Sequence, residues 1–204
     1  MTTVLCIDTA SGPFALALAV DGAIVATSAH HAPQDHSKAL LPAIDAILRS
    51  HPRLDGIAVV KGPGSYAGLR VGIATAEGLA LARGIPLRGI GTLAAVRAAS
   101  GLADVTAVHP AGRGEFAAQP FANGEPSAPM AALRGDDLAG RPLAGQGAGA
   151  LGGIEIGPGE RCQAALLELL PAFAEGPTES VEAVYLREPK ITLPRRSGKP
   201  LPAR

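Results

Sequence analysis

Residues 61–72 read Lys-Gly-Pro-Gly-Ser-Tyr-Ala-Gly-Leu-Arg-Val-Gly, and the reading of the chain starts from them. The residues just before, 55–60 (DGIAVV), are short and nearly all apolar, as buried strands are. Those after them predict a long helix to about Arg83, with Ser65 placed as its N-cap and Gly84 where a C′ glycine belongs. Strand, tight glycine loop and helix form one unit of a parallel sheet. Upstream, 4–7 (VLCI), 14–20 (FALALAV) and 23–29 read as three strands, the last two joined by Asp21-Gly22, a dipeptide favoured in tight hairpins. Over 36–49, Leu40, Leu41, Ile44, Ile47 and Leu48 recur at helical spacing, with Pro42 in the first two turns, where it is best tolerated. Downstream, 85–90 reads as a strand and 92–99 as a short helix. Strands and helices alternate through residues 1–100, so this half is α/β.

After Gly101 the composition shifts. Residues 104–109 and 115–121 read as strands, 122–161 are dominated by Gly, Pro and Ala, and a helix is expected at about 162–170. The second half is expected to be a smaller, loop-rich lobe of the same kind, spanning 101–188. A basic tail, 189–204, is expected to follow. From Arg187 to Arg204 there are six Lys/Arg against one acid, which suits a solvated chain end or an arm touching RNA or an acidic partner. The sequence contains no internal repeat.

The whole chain has 204 residues, 47% apolar and only 3% aromatic, with no Trp. Its core must be built from Ala, Val, Leu and Ile. Formal net charge is zero, whereas a protein that grips nucleic acid alone usually carries a basic face. Cys6 and Cys162 stand far apart, with no metal or redox spacing. The start lacks a basic, then apolar, leader pattern, and no run of about 18 apolar residues suggests a membrane span. The expected location is cytoplasmic.

Few residues carry chemistry. Asp8-Thr9-Ala10-Ser11 lies at a hairpin corner, where a carboxylate and hydroxyls suit either a metal-bound phosphate or a simple Asx or Ser/Thr turn. Gly62-Pro63-Gly64-Ser65 precedes a helix N-terminus, which attracts anions, yet no Walker lysine follows, and a tight structural loop is the competing reading. Gly68, Gly72, Ala76 and Ala80 recur every four residues, a stripe of small side chains that permits close packing against the chain's own sheet or a partner. His30, His31 and His36 lack the spacing of a zinc pair. Gly145–Gly153 suits a second nucleotide loop or a flexible connection. No catalytic residue and no metal site is assigned.

Ile7-Asp8-Thr9-Ala10, then His36-Ser37 with Leu40-Leu41-Pro42, then Gly62 to Gly72, then Tyr185-Leu186-Arg187, resemble the TsaB (YeaZ) family. The likeness is strong over roughly 1–100 and weak over 101–180. It implies an actin/Hsp70-like (ASKHA, ribonuclease H-like) two-lobed fold with the second lobe reduced. It also implies a non-catalytic subunit that pairs with a TsaD-type transferase and a TsaE-type ATPase to place threonylcarbamoyl on the tRNA adenosine beside the anticodon. The chain is expected to be a homodimer when alone and to meet tRNA only through the complex. Any ATP or magnesium is expected only in the assembled complex. Asp8, Thr9, Gly62, Gly64 and Ser65 are then vestigial phosphate loops. His36, Leu40, Leu41, Gly68, Leu69, Gly72, Ala76 and Ala80 are interface candidates. The catalytic paralogue's two histidines fall here on Thr92 and Val96. Of a family-like Asp-Ala-Arg-Arg-x-Glu segment, Arg113 and Glu115 survive. The alternative is an ATP-dependent phosphoryl or carbamoyl transferase using Asp8 and the Gly62–Ser65 loop.

Overall fold

The computed structural model describes residues 2–30, 36–174 and 180–187. Five strands form the first sheet: β1 (Thr3–Asp8), β2 (Phe14–Val20), β3 (Ala23–His30), β4 (Gly56–Val60) and β5 (Leu87–Ile90), in the order β3-β2-β1-β4-β5. The meander β1-β2-β3 is antiparallel, while β4 and β5 run parallel to β1. Between them lie α1 (His36–Leu48) and α2 (Tyr66–Arg83).

The period of two in β2 decides how this sheet is covered. Phe14, Leu16 and Leu18 join Leu5 and Ile7 of β1 in a cluster with Leu40, Ile44, Ile73 and Ala76 from α1 and α2. Ala15, Ala17 and Ala19 point the other way and pack with Cys162, Ala165 and Leu166. Large residues thus fill the space under two helices, and alanines let a single helix come close. All of these residues are buried, and each buried Leu or Ile contributes about 1.5–3 kcal/mol.

The covering helix on the alanine side comes from the other end of the chain. It is α4 (Pro158–Leu169), and its buried residues are Arg161, Cys162, Ala165 and Leu166. Conversely α3 (Thr92–Ser100), from the first half, supplies Leu93 and Val96 to a cluster with Val105, Ala107, Phe121 and Ala144 of the second half. The two lobes therefore exchange helices. Ion pairing of Arg97 with Glu168 at 2.7 Å ties α3 to α4.

The second sheet contains β6 (Val105–Gly112), β7 (Glu115–Ala122), β8 (Glu125–Pro126), β9 (Ala131–Arg134), β10 (Leu143–Gly145) and β11 (Ile154–Glu155). Its order is β11-β10-β6-β7-β8, with β9 also pairing β7. Strands β6, β7 and β9 are antiparallel, and β10 and β11 run parallel to β6 and to each other. This repeats the connectivity of the first sheet, a structural repeat that has no sequence counterpart. Where the first lobe has α1 and α2, the second has, among the described residues, short 3-10 turns at Gly135–Leu138 and Gly149–Leu151. The lobe is reduced by loss of helices more than of strands. Residues 122–161 are accordingly more ordered than a loop-rich reading expects. Helix α4 also begins four residues before the expected 162, with Pro158 at its first turn, where proline is tolerated.

No helix among the described residues is long and apolar enough to cross a membrane. His31, Asp35 and the tail 189–204 lie outside the described residues.

Candidate functional site

Asp8 ends β1 at the root of the cleft between the sheets and is wholly buried. Its partner is Arg161 of α4, also wholly buried. Arg161 donates from Nε to Asp8 Oδ2 at 2.7 Å and from Nη2 to Oδ1 at 3.2 Å. Oδ1 also accepts the Ala10 amide at 3.0 Å. This bidentate geometry is the strong form of a guanidinium–carboxylate pair. The same Nη2 donates to Ser11 Oγ at 2.9 Å, and that hydroxyl donates to Gln146 at 2.7 Å.

His109 completes the cluster from β6. Its Nε2 lies 3.3 Å from the Ala10 carbonyl, and its Nδ1 lies 3.4 Å from Arg161 Nη1. A carbonyl only accepts and a guanidinium only donates, so the ring is neutral with its proton on Nε2. Burial first, and the Arg161 charge second, push its pKa from 6.5 down to about 4. Sequence reasoning missed Arg161, His109 and Gln146. The available signal was weak: one Arg at an inward position of α4, and one His in a mostly apolar strand.

The sequence-predicted phosphate residues are placed as follows. Asp8 faces its own arginine, with each carboxylate oxygen accepting from Arg161. Thr9 is buried and packs against Gly72 of α2, where a Cβ would collide with its Oγ1. A Cβ on Gly68 would collide with the Thr9 carbonyl, and one on Gly64 with the Ala10 carbonyl. The glycines thus let α2 and its loop press onto the end of β1. Gly62 accepts from the Thr92 amide at 2.8 Å and abuts the Val184 carbonyl. Ser65 caps α2, its hydroxyl accepting from the Gly68 amide at 3.2 Å. The Gly62–Ser65 loop is a packing device. A cation at Asp8 would have to displace Arg161, which donates to both carboxylate oxygens.

The Gly145–Gly153 segment is likewise internally satisfied. Glu155 accepts from the Gly147 amide at 2.8 and 3.0 Å and from the Gly149 amide at 3.0 Å. It is a hydrogen-bonded turn rather than a flexible connection.

The interface candidates divide. Leu40, Gly68, Leu69, Gly72, Ala76 and Ala80 are buried within the chain itself. The small-residue stripe meets the chain's own sheet, and this corrects its assignment to a partner surface. Leu41 is 53% exposed, and Leu81, on the outer side of α2, is 86% exposed. The side chain of His36 lies outside the described residues.

Two shallow clefts flank the buried cluster. One, of about 210 Å³, is lined by Pro63, Tyr66, His109, Pro110, Tyr185 and Arg187. Tyr66 and Tyr185 stand 5.1 Å apart, and Arg70 lies over the Tyr66 ring at 5.5 Å. Arg187 pairs with Glu115 at 2.8 Å, joining the two motif remnants of the second half. The other, of about 300 Å³, is lined by Ser11, Gly12, Ser65, His109 and Gln146. Among the described residues, no group of three or more His, Cys, Asp or Glu is placed to hold a metal. Thr92 and Val96 are buried.

A family model described as TsaD, tRNA N6-adenosine threonylcarbamoyltransferase, matches residues 24–128, just over half of the chain. The chain is 38% identical over 96 residues to the tRNA threonylcarbamoyladenosine biosynthesis protein TsaB of Escherichia coli (strain K12), covering 44% of this chain and 40% of that protein. It is 33% identical over 95 residues to the TsaB protein of Bacillus subtilis (strain 168), covering 45% and 42%. The chain thus matches about two-fifths of the length of these curated relatives. The solved structure of YeaZ from Pseudomonas aeruginosa superposes with a TM-score of 0.71 at 23% identity, over 91% of this chain and 100% of that one. That likeness shows the two-lobed fold.

Proposed function

This chain belongs to the family whose model is described as TsaD, tRNA N6-adenosine threonylcarbamoyltransferase, and from that premise we propose that within it the chain is of the TsaB (YeaZ) kind, a non-catalytic subunit of the machinery that makes threonylcarbamoyladenosine in tRNA. The observation that carries the non-catalytic part is the Asp8–Arg161 pair at 2.7 Å. It takes up the Asp8 carboxylate at the cleft root inside the fold. His109 beside it is buried and bonded at both nitrogens, so it offers no base to a substrate. The chain's work is then to bind a TsaD-type transferase and support its active form, with a TsaE-type ATPase completing the assembly. It meets tRNA through that complex, in the cytoplasm, and pairs with itself when the partner is absent.

The surface we assign to the partner is the outer side of α1 and α2, where Leu41 and Leu81 are exposed. Apolar side chains exposed on adjacent helices suit a helix-to-helix contact across a two-fold axis. The test is reconstitution with the TsaD-type and TsaE-type proteins, threonylcarbamoyl-adenylate and tRNA, read by mass spectrometry of the digested nucleosides. Transfer should need the partner and fall when this chain is left out. Turnover by this chain alone, surviving removal of contaminants, sinks the proposal.

A further inference from the structure

The buried polar cluster crosses the boundary between the lobes. Asp8 and Ser11 belong to the first sheet and its first turn. His109 lies on β6, and Gln146 follows β10 of the second sheet. Arg161 stands between them on α4, touching Asp8, Ser11 and His109 at 2.7, 2.9 and 3.4 Å. Two links join the sheets without Arg161: His109 to the Ala10 carbonyl at 3.3 Å and Ser11 to Gln146 at 2.7 Å.

A two-lobed protein opens by rotating its lobes about a hinge at the cleft root. Here the root is where the polar contacts concentrate. Moving β6 and β10 away from β1 would strip His109 and Gln146 of their partners. It would also break the shell around a fully buried guanidinium. Satisfied buried networks rigidify, because each unpaired member is costly in a low dielectric. The exchanged helices strengthen the restraint, since α3 packs on the second sheet and α4 on the first.

We propose that the Asp8–Arg161–His109–Ser11–Gln146 cluster is an interlobe lock that holds the two sheets at one fixed separation. The chain then lacks the opening and closing motion of two-lobed enzymes and acts as a rigid body. This does not depend on the pathway proposed above.

The test is the interlobe distance distribution of the full chain by double electron–electron resonance. Spin labels go on Ala23→Cys in the first sheet and Ala128→Cys in the second lobe, both exposed positions. Cys6 and Cys162 are buried and stay unlabelled. An excess of unlabelled protein suppresses distances between copies. The expected result is one narrow distance, unchanged by millimolar Mg-ATP. In Asp8→Asn/Arg161→Met, which leaves no unpaired charge behind, the distribution should broaden or gain a second, longer component. If that variant does not fold, Ser11→Ala, which cuts the links to Arg161 and Gln146, takes its place with the same expectation. The lock is overturned if the wild type shows two separations or shifts with Mg-ATP. It is equally overturned if the folded variant keeps the single narrow distance.

Discussion

Arg161 lies wholly inside the protein, and a guanidinium there is tolerated only because every neighbour accepts from it or is neutral. Arg161→Met keeps much of the volume but leaves Asp8 as an uncompensated buried carboxylate. Breaking one side of such a pair typically costs about 3–5 kcal/mol. Asp8→Asn/Arg161→Met removes both charges and should recover a good part of that loss. Urea unfolding of the two variants checks this, and a cost near zero for Arg161→Met would mean the pair is solvated. His109 yields a second expectation. Its folded pKa of about 4 lies below the ordinary 6.5, so below pH 6.5 the unfolded chain binds a proton that the folded chain refuses. Stability should therefore fall as pH drops from 6.5 toward 4 and level off below, with a slope approaching about 1.4 kcal/mol per pH unit. The groups facing the ring are Asp8, Arg161 and the Ala10 carbonyl, and His109→Gln should flatten the profile. Asp8 was legible in the sequence as a candidate site residue. Its true partner was not, because 153 positions separate them and periodicity reports only local faces.

Helix α2 illustrates what an element's pattern can and cannot say. Its start and end were legible because capping chemistry is local: Ser65 bonds the Gly68 amide, and Gly84 adopts the left-handed conformation. The stripe Gly68, Gly72, Ala76, Ala80 was legible too, but a stripe does not say what lies opposite. The end of β1 lies there, with Thr9 against Gly72. Gly72→Ala should therefore lower stability, by about 1–3 kcal/mol for overpacking, whether or not a partner is present. The outer face behaves differently. Leu41→Glu and Leu81→Glu change exposed positions, so thermal melts should move little. Association measured by sedimentation, with and without the TsaD-type partner, should weaken at least tenfold. Wild-type association by both folded variants would remove α1 and α2 from the interface. The elements of the first half follow their sequence pattern closely. The short strands of the second half escape it, because two to four residues contain too little of a period to read.

At the scale of the molecule, two lobes of like connectivity meet, and the groups that the sequence offers for a nucleotide, Asp8 and the amides of the glycine-rich segment, bond to the chain's own side chains. A phosphate–metal site requires a free carboxylate for the cation and free amides for the anion. Arg161 takes the place of the cation at Asp8, at 2.7 Å. Glu155 takes the place of the anion at the Gly147 and Gly149 amides, at 2.8 and 3.0 Å. Both substitutions are intramolecular, so a ligand must compete with partners already held at contact distance and gains little by displacing them. The long glycine-rich segment that reads as a second nucleotide loop is thus closed by a residue only a few positions on. Composition alone cannot reveal that closure, since it depends on β10 and β11 pairing in register. Calorimetric titration of the isolated full chain with ATP and magnesium should give no saturable heat. A dissociation constant in the low micromolar range, about −8 kcal/mol, would show that the internal ion pair opens for a ligand. It would move the chain from scaffold to enzyme, because an opened pair would free Asp8 for a cation at the cleft root.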